Sequence, residues 1–463
     1  MDMTILLLNP PGTRRYIRDN YCSKTAQAAY SYAPVDLLLA SGRFRDVLLI
    51  DAIVEDISPR RCLDRIVRLH PQGIISLVSS VSWLEDRSFL EDVKRRLPQT
   101  YILATGDVLL EGGMEIMAGN FWLDGIILDF TNRDALNYFN GDYEKIVRMI
   151  YRTKGGEVIS KSGPRPDGLI HGLDRPRQEM FLNLPYLYPF VRQRRFATVQ
   201  TDYGCHFKCR FCSFASLGHQ WRPLQEIMGE LLWLRRQGIK EIYFNDQTFG
   251  GSPHRLRALC RSIKKAQLDL NWCCWCRVDL AADHLAMIKD AGCHTLMLGV
   301  ETANEETLAR MGKRMDRETV KDVFSRCRGL GLRTLATFIL GLPGEDPDDI
   351  TRTIEWALEL NPDFVSFNVL IPRKGSALRG ELAVGGLLPA AEPPLDQSGG
   401  ICAFTWGNME LSELRDLRSQ AFRRFYLRPA HWFRLLKMVR TFYDFKVLLH
   451  MGSTMSWHSV TKA

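Results

Sequence analysis

The 463-residue chain lacks any apolar run long enough to cross a membrane. Its first apolar run, residues 3–8, ends at Asn9-Pro10-Pro11-Gly12 and is too short for the core of a secretory signal peptide. Internal repeats, low-complexity tracts and recognisable RNA-binding motifs are also absent, and the net charge of +8 is modest. These absences argue against a membrane-spanning protein, a repeat array and a nucleic-acid-binding protein.

The composition is that of a globular protein, with 46% hydrophobic and 25% charged residues. The length exceeds what one core usually supports and predicts two or three domains. Twelve cysteines occur without a secretory signal. This combination predicts a reducing, cytoplasmic location, where thiols bind metal or lie in the core.

The first 150 residues predict a Rossmann-like, doubly wound parallel sheet. Apolar runs at 5–8, 47–50, 74–78, 101–104 and 125–128 alternate with helical patterns such as 60–69 and 89–97. Such sheets bind ligands at the carboxyl ends of their strands. Asn9-Pro10-Pro11-Gly12 would then be either a ligand-facing turn or a plain strand-ending turn, and the sequence favours neither.

The rest of the chain predicts a linker, a second α/β domain and a helical tail. Residues 151–190 are rich in Gly, Pro and charge and are assigned to the linker. Six further strand–helix repeats in residues 191–384 predict a partial (β/α)6 barrel. Residues 385–463 are assigned to a loop followed by a C-terminal helical segment.

Three cysteines, Cys205, Cys209 and Cys212, lie within eight residues. So short a loop can bring three sulfurs to one inorganic centre but leaves that centre one protein ligand short. Structural zinc sites and ordinary ferredoxin clusters use four protein ligands. The spacing favours an iron–sulfur cluster with one open iron, and three buried or zinc-binding thiols are the alternative.

Polar residues follow each later strand of the predicted barrel. Active sites of barrels lie at the carboxyl ends of the strands, so these residues are candidates for the site. Taken singly, each would be assigned to a helix cap or a salt bridge. They are Asn245-Asp246, Arg277-Val278-Asp279, Gly299-Val300-Glu301, Gly341-Leu342-Pro343-Gly344-Glu345 and Pro372-Arg373.

The cysteine loop and these strand ends together resemble the radical S-adenosylmethionine (SAM) superfamily. The resemblance is to its branch with an N-terminal cobalamin-binding domain, which includes enzymes of bacteriochlorophyll and hopanoid biosynthesis. In the superfamily three cysteines hold a [4Fe-4S] cluster, here Cys205, Cys209 and Cys212. The amino and carboxylate groups of SAM bind the fourth iron.

The resemblance also implies roles in SAM binding, position by position. Phe211 would pack near the adenine, which Gly341 and Leu342 would line. The amino group of SAM would contact Asn245 and Asp246, and its carboxylate or ribose would contact Arg277 and Glu301.

The same resemblance implies cobalamin on the first domain. The chain has no Asp-x-His-x-x-Gly loop, which would supply a histidine to cobalt. Cobalamin is therefore expected to bind without a histidine ligand. The alternative is a first domain that binds no cobalamin and serves as a lid.

The tail after residue 411 mixes arginines with bulky apolar residues. A membrane-surface helix has this composition. So does a helix that packs on the barrel with its arginines turned to solvent, which is the preferred interpretation. Peripheral membrane contact remains the less favoured alternative.

Two other cysteine features stand outside the three-cysteine loop. Cys273 and Cys276 are three residues apart in a predicted strand, which points them to opposite faces and favours buried core thiols over a second metal site. Cys22 lies in the long segment after the first strand, where it is a candidate for a position near the substrate.

The resemblance predicts an enzyme that cleaves SAM and modifies an unactivated carbon of a small or lipid-like metabolite. Methyl transfer is expected with cobalamin bound, and rearrangement, cyclisation or oxidation without it. A flavodoxin or ferredoxin would supply the electron. The non-enzyme alternative is an iron–sulfur electron-transfer protein.

Overall fold

A computed structural model of the chain describes residues 3–26, 30–163, 167–170, 173–388, 396–397, 409–439, 443–447 and 449. The chain forms two compact units. The first is drawn from Met1–Ala26, Ser31–Tyr186 and Ser216–Gln220, and the second from Gln27–Tyr30, Leu187–Ala215 and Trp221–Ala463.

The described part of the first unit alternates short strands with helices. In chain order these are β1 (Ile5–Asn9), β2 (Tyr16–Asp19), β3 (Cys22–Thr25), α1 (Val35–Ser41), β4 (Val47–Asp51), α2 (Pro59–Leu69), β5 (Gly73–Leu77), α3 (Trp83–Arg96), β6 (Tyr101–Thr105), α4 (Gly113–Gly119), β7 (Gly125–Ile127), α5 (Asp134–Asn140), β8 (Arg148–Arg152), β9 (Val158–Ser162) and β10 (Gly168–Leu169).

The sheet of the first unit has the strand order β4-β1-β5-β6-β7-β8-β9. The first five strands in this order are parallel, and β8 and β9 add to them in antiparallel fashion. The predicted parallel α/β sheet is confirmed. The predicted linker, residues 151–190, is wrong over most of its length. Strand β9 pairs with β8 at the edge of this sheet, and the first unit extends to Tyr186.

A hairpin missed by the sequence analysis lies at the carboxyl ends of the parallel strands. Strands β2 and β3 pair through a turn in which Asn20 and Tyr21 both have positive φ, as a type I′ turn requires. Arg18 of this hairpin is buried and donates to Asn9 Oδ1 at 2.9 Å and to Asp86 Oδ1 at 2.6 Å. The hairpin is thus fixed to the end of β1 by a hydrogen bond and to α3 by a buried ion pair.

From residue 197 onward the described elements repeat the strand–helix pattern. They are β11 (Ala197–Val199), β12 (Asp202–Gly204), β13 (His219–Trp221), α6 (Leu224–Arg236), β14 (Glu241–Phe244), α7 (Pro253–Lys265), β15 (Asn271–Cys276), α8 (Val278–Ala282), α9 (Leu285–Asp290), β16 (Cys293–Glu301), α10 (Glu305–Arg310), α11 (Arg317–Gly329), β17 (Arg333–Leu340), α12 (Pro347–Leu360), β18 (Phe364–Val369), α13 (Ala377–Val384), α14 (Leu411–Tyr426) and α15 (Pro429–Met438).

The sheet of the second unit has six parallel strands in the order β11-β14-β15-β16-β17-β18. Because all six strands are parallel, their carboxyl ends lie along one edge of the sheet. The predicted α/β fold with a helical C-terminal segment is confirmed. Most of the predicted loop 385–400, and Cys402 after it, lie outside the described residues.

Helix α14 covers the edge strand β18. The hydroxyl of Tyr426 donates to Val365 O at 2.8 Å and accepts from Val365 N at 3.0 Å. Both backbone groups of Val365 that an edge strand would leave unpaired are thereby used. Leu414, Ala421 and Phe425 are buried on the same helix.

The predicted outward direction of the tail arginines is wrong for the three that bind main-chain carbonyls. Arg434 donates to Asn361 O at 2.8 Å, just beyond the end of α12, and also to Pro362 O. Arg418 donates to Phe367 O at 2.9 Å, and Arg428 to Phe425 O at 3.0 Å. Carbonyls at a helix end lack partners within the helix, so Arg434 and Arg428 turn toward them. Arg418 instead binds a carbonyl of the edge strand β18.

No helix in the described residues is long and apolar enough to cross a bilayer. The eleven described cysteines are free thiols. Cys273 and Cys276 are buried, in agreement with the prediction of core thiols, and Cys22 is partly exposed in β3.

Replacing Arg18 by Met should destabilise the first unit, since the substitution leaves Asp86 buried without its cationic partner. We expect the free energy of unfolding, measured by urea denaturation, to fall by about 3–5 kcal/mol. The matched control is Arg87→Met, which breaks the exposed pair with Glu91 and should cost about 0–1 kcal/mol. Equal losses in the two variants would contradict this account.

Candidate active site

The three cysteines follow β12 and are partly buried. The amide of Cys212 donates to Cys209 O at 3.0 Å, which closes the second half of the loop into a turn. Burial raises the pKa of each thiol, and that of Cys212 to about 12. Cluster irons bind thiolates and would displace these protons.

Two backbone contacts hold the loop against neighbouring elements. The amide of Arg210 donates to Met311 O at 2.9 Å, and Arg210 O accepts from Leu378 N at 2.9 Å. Gly312 approaches so closely that a Cβ there would lie 2.5 Å from Lys208 O, and its φ of +72° also requires glycine. The loop is therefore positioned by the turn after α10 and by the start of α13.

Two cations lie beside the thiols. Arg277, after β15, has its Nη1 3.9 Å from Cys209 Sγ and its guanidinium 3.8 Å from the centre of the Phe207 ring. Lys313 is buried. Both positive charges oppose the effect of burial on the pKa of Cys205 and of Cys209. Each cation is also paired with a carboxylate, Arg277 with Asp279 at 2.7 Å and Lys313 with Glu301. The site therefore holds two ion pairs whose cations lie where a cluster with three thiolates would place negative charge.

Lys313 also binds the carboxylate that ends β16. Its Nζ lies 2.6 Å from Glu301 Oε1 and donates to Gly299 O at 2.8 Å. Glu301 has a φ of +70° next to a bulge in β16, a conformation that non-glycine residues seldom adopt. A Cβ at Gly299 would lie 2.4 Å from Glu301 Oε1 and 2.8 Å from Lys313 Nζ, so a larger residue there would displace the ends of these two side chains.

Asp246 directs its carboxylate into the protein. Its oxygens accept hydrogen bonds from Thr201 N at 2.5 Å, Thr201 Oγ1 at 2.8 Å and Asp202 N at 3.0 Å. Burial, with the charge of Asp202, raises the pKa of Asp246 to about 7. The sequence predicted a contact with the SAM amino group, whereas the structure uses this carboxylate to hold the segment before the cysteine loop.

Asn245 is buried beside Asp246, at the end of β14. Its Oδ1 accepts from the Tyr243 hydroxyl at 2.7 Å, and that hydroxyl accepts from Trp275 Nε1 at 3.1 Å. The amide side chain is thus oriented by an aromatic pair from β14 and β15.

Phe211 packs in an apolar cluster with Leu342, at the end of β17. Gly341 precedes Leu342 with a φ of +80°. Glu345 stabilises this turn, because it accepts from Leu342 N at 2.9 Å and from Thr302 Oγ1 at 2.6 Å. Burial raises the pKa of Glu345 to about 7.

The structure brings Cys209, Arg277, Glu301 and Lys313 into one site and joins Phe211 to Leu342. It also adds Lys313, which the sequence analysis missed. This lysine lies in the turn after α10 and follows no predicted strand, so its place in the chain gave no signal.

Among the described residues, no three or more His, Cys, Asp or Glu side chains are arranged to hold a single metal ion. In a four-iron cluster each cysteine binds a different iron, so the three thiols do not need to converge on one point as the ligands of a single metal ion do.

Comparison with known proteins supports the assignment of this site. Residues 199–357 match the family model described as the radical SAM superfamily. The chain contains a radical SAM domain. The predicted radical SAM domain is confirmed, and with it an enzyme whose cofactors include a [4Fe-4S] cluster and SAM. The match spans the cysteine loop and the ends of β14 to β17.

Two curated relatives cover most of the chain. An uncharacterized methyltransferase from Pyrococcus horikoshii is 26% identical over 344 residues, which are 72% of this chain and 74% of that protein. The anaerobic magnesium-protoporphyrin IX monomethyl ester cyclase of Rubrivivax gelatinosus is 24% identical over 391 residues, with coverage of 79% and 69%.

A solved structure shares the fold beyond the radical SAM domain. It is the radical SAM methyltransferase TsrM from Kitasatospora setae with cobalamin and a [4Fe-4S] cluster bound. The TM-score is 0.67 at 16% identity, and the match covers 91% of this chain and 85% of TsrM.

Replacing Lys313 by Met should make the cluster harder to reduce, since the lost positive charge stabilises the more negative reduced state. We expect the midpoint potential, followed by electron paramagnetic resonance, to fall by about 60 mV, a tenfold change in a one-electron equilibrium. Lys313→Arg keeps the charge and should stay near the parent value. A potential unchanged in Lys313→Met would contradict the proposed electrostatic role.

Proposed function

We propose that Cys205, Cys209 and Cys212 hold the [4Fe-4S] cluster and that SAM binds its open iron. The observation that carries this proposal is the placement of the loop beside Arg277, Glu301 and Lys313 at the carboxyl end of the six-stranded sheet. When bound, the cluster supplies the electron that splits SAM into methionine and a 5′-deoxyadenosyl radical. An electron-transfer protein would need neither an open iron nor this set of charged groups.

The charges at the site suit SAM, which carries an ammonium, a carboxylate and a sulfonium group. Arg277 is the candidate partner of the SAM carboxylate, and Glu301 of its ammonium or ribose hydroxyls. Asn245 offers an oriented amide to the same region. Phe211 and Leu342 provide an apolar surface for the adenine. We assign Asp246 a positioning role, because its oxygens bind main-chain amides.

The finer proposal is methyl transfer with cobalamin bound to the first unit. The carboxyl ends of β5 and β6 border a crevice about the size of one water molecule, whose lining includes Arg18, Cys22 and Asp107. Asn20 Nδ2 and Thr105 Oγ1 are buried near this edge and have no hydrogen-bond partner in the described residues. Such groups fit the amide side chains that rim a corrin.

Because the crevice has room for about one water molecule, we place only the edge of a corrin against its mouth. Asn20 and Thr105 would hold that edge. Cobalamin, when bound, supplies a methyl carrier. The histidine of the first 150 residues, His70, precedes β5 and so lies at the amino end of the sheet. Cobalt would therefore receive no imidazole from it.

The relatives support two reaction classes. The methyltransferase from P. horikoshii and the cobalamin-bound TsrM favour methyl transfer. The cyclase of R. gelatinosus favours the alternative, an oxidation or cyclisation. In either case we propose a small-molecule or lipid-like substrate, a flavodoxin or ferredoxin as reductant, and a cytoplasmic location consistent with the free thiols.

Replacing Cys205, Cys209 and Cys212 together by Ala should abolish the cluster, since no protein ligand to iron remains in the loop. Anaerobically reconstituted parent protein should bind about four irons and four sulfides and release 5′-deoxyadenosine from SAM on reduction. Cys273→Ala is the matched control and should retain both. A cluster that survives the triple replacement would contradict the assignment of these three cysteines as its ligands.

Methyl transfer with cobalamin consumes SAM in two roles, as methyl donor and as radical source. The reduced protein, supplied with cobalamin and substrate, should therefore form S-adenosylhomocysteine and 5′-deoxyadenosine together, measured by mass spectrometry. The bound cobalamin should have a base-off absorption spectrum. Production of 5′-deoxyadenosine alone, by protein that takes up no cobalamin, would contradict methyl transfer. It would favour a rearrangement, cyclisation or oxidation.

A further inference from the structure

Helix α15 presents large apolar side chains to solvent. Phe433 is 67% exposed, Leu436 57% and Trp432 43%. These positions and Pro429 repeat at intervals of three and four residues, so they share one side of the helix. We call these four residues the outer face of α15. Soluble proteins rarely expose a contiguous apolar patch that has no function.

The opposite side of α15 is fixed to the second unit. His431 and Leu435 are buried, and Arg434 binds Asn361 O and lies 3.6 Å from Asp363. These anchors set the rotation of the helix about its axis. Arg434 is turned inward and does not shield the outer face, so the exposure of this face is built into the packing.

Positive charge accompanies the outer face. The chain has no Asp or Glu between Leu417 and Tyr443, and seven Arg and Lys residues occur there. Arg423 and Lys437 are exposed, at the end of α14 and in the last turn of α15. An apolar stripe with Trp, bordered by cations, is the composition of a helix that lies in a membrane interface.

We propose that the outer face of α15 docks on an anionic lipid bilayer. The apolar side chains would enter the boundary between headgroups and acyl chains, and Arg423 and Lys437 would meet the lipid phosphates. Charge complementarity selects this occupant over a neutral surface, because residues 418–442 contain seven Arg and Lys and no Asp or Glu, while the outer face itself needs an apolar medium.

The outer face of α15 and the cysteine loop lie at different ends of the second sheet. Arg434 binds the residues just before β18, at the amino ends of the strands. The cysteine loop, Arg277 and Glu301 lie at the carboxyl ends. The enzyme can thus rest on a bilayer without covering the site at which SAM binds. This inference does not depend on the reaction class.

Vesicle flotation of the full-length, cluster-loaded protein tests the proposal. Parent protein should float with phosphatidylcholine vesicles that contain phosphatidylglycerol, less with phosphatidylcholine alone, and less at high salt. The triple variant Trp432→Ser, Phe433→Ser, Leu436→Ser should bind the anionic vesicles at least about tenfold more weakly. Arg423→Glu with Lys437→Glu should lose about tenfold on anionic vesicles only.

The matched control removes exposed apolar residues elsewhere. Leu84 and Phe121 of the first unit are each 77% exposed, so Leu84→Ser with Phe121→Ser should leave flotation unchanged. All variants should keep the cluster absorbance and the rate of SAM cleavage, which shows that they fold. Failure of SAM cleavage in the parent would contradict the proposed function and leave the flotation result independent.

Three outcomes would overturn the proposal. The first is parent protein that does not float with anionic vesicles. The second is flotation that the α15 variants leave unchanged. The third is a dimer in light scattering that the triple variant alone converts to a monomer, which would assign the outer face to a second copy of the chain.

Discussion

The buried carboxylate of Asp246 holds together the part of the second unit on which the cysteine loop depends. It accepts the amides of Thr201 and Asp202, three residues before Cys205. Asp202 in turn accepts from Arg255 at 2.7 Å, which joins the same segment to α7. Burial raises the pKa of Asp246, so its hydrogen bonds are made against a desolvation cost. The start of the loop is therefore fixed before any cofactor binds.

The carboxylates at the strand ends divide into two groups. Asp246 and Glu345 bind main-chain amides and shape the turns that surround the site. Glu301 instead faces Lys313, beside the thiols. A carboxylate paired with a side-chain ammonium can exchange that partner for the charged groups of a ligand. One that is saturated by backbone amides cannot do so without disrupting the fold.

The two ends of the second sheet have different roles. At the carboxyl ends, buried polar groups order the loop and the turns after each strand. At the amino ends, Arg434 secures α15 to the residues that precede β18 and leaves Phe433 exposed. The same packing that satisfies the carbonyls after α12 thus determines which side of the terminal helix meets solvent.

The sequence by itself determined the parallel strands of both sheets, many of the helices between them and the three cysteines, because burial on both faces of a parallel strand and short ligand spacing are local properties. It did not determine how side chains with the same local pattern are used. Asp246 and Glu301 both end strands, yet one turns inward and the other meets Lys313, a residue twelve positions later with no motif of its own. The hairpin around Arg18 and the inward turn of Arg434 also depend on partners distant in sequence, Asp86 and Asn361. Tertiary structure alone decided these roles, since the partner that satisfies a buried charge or carbonyl is set by packing and not by neighbouring residues in the chain.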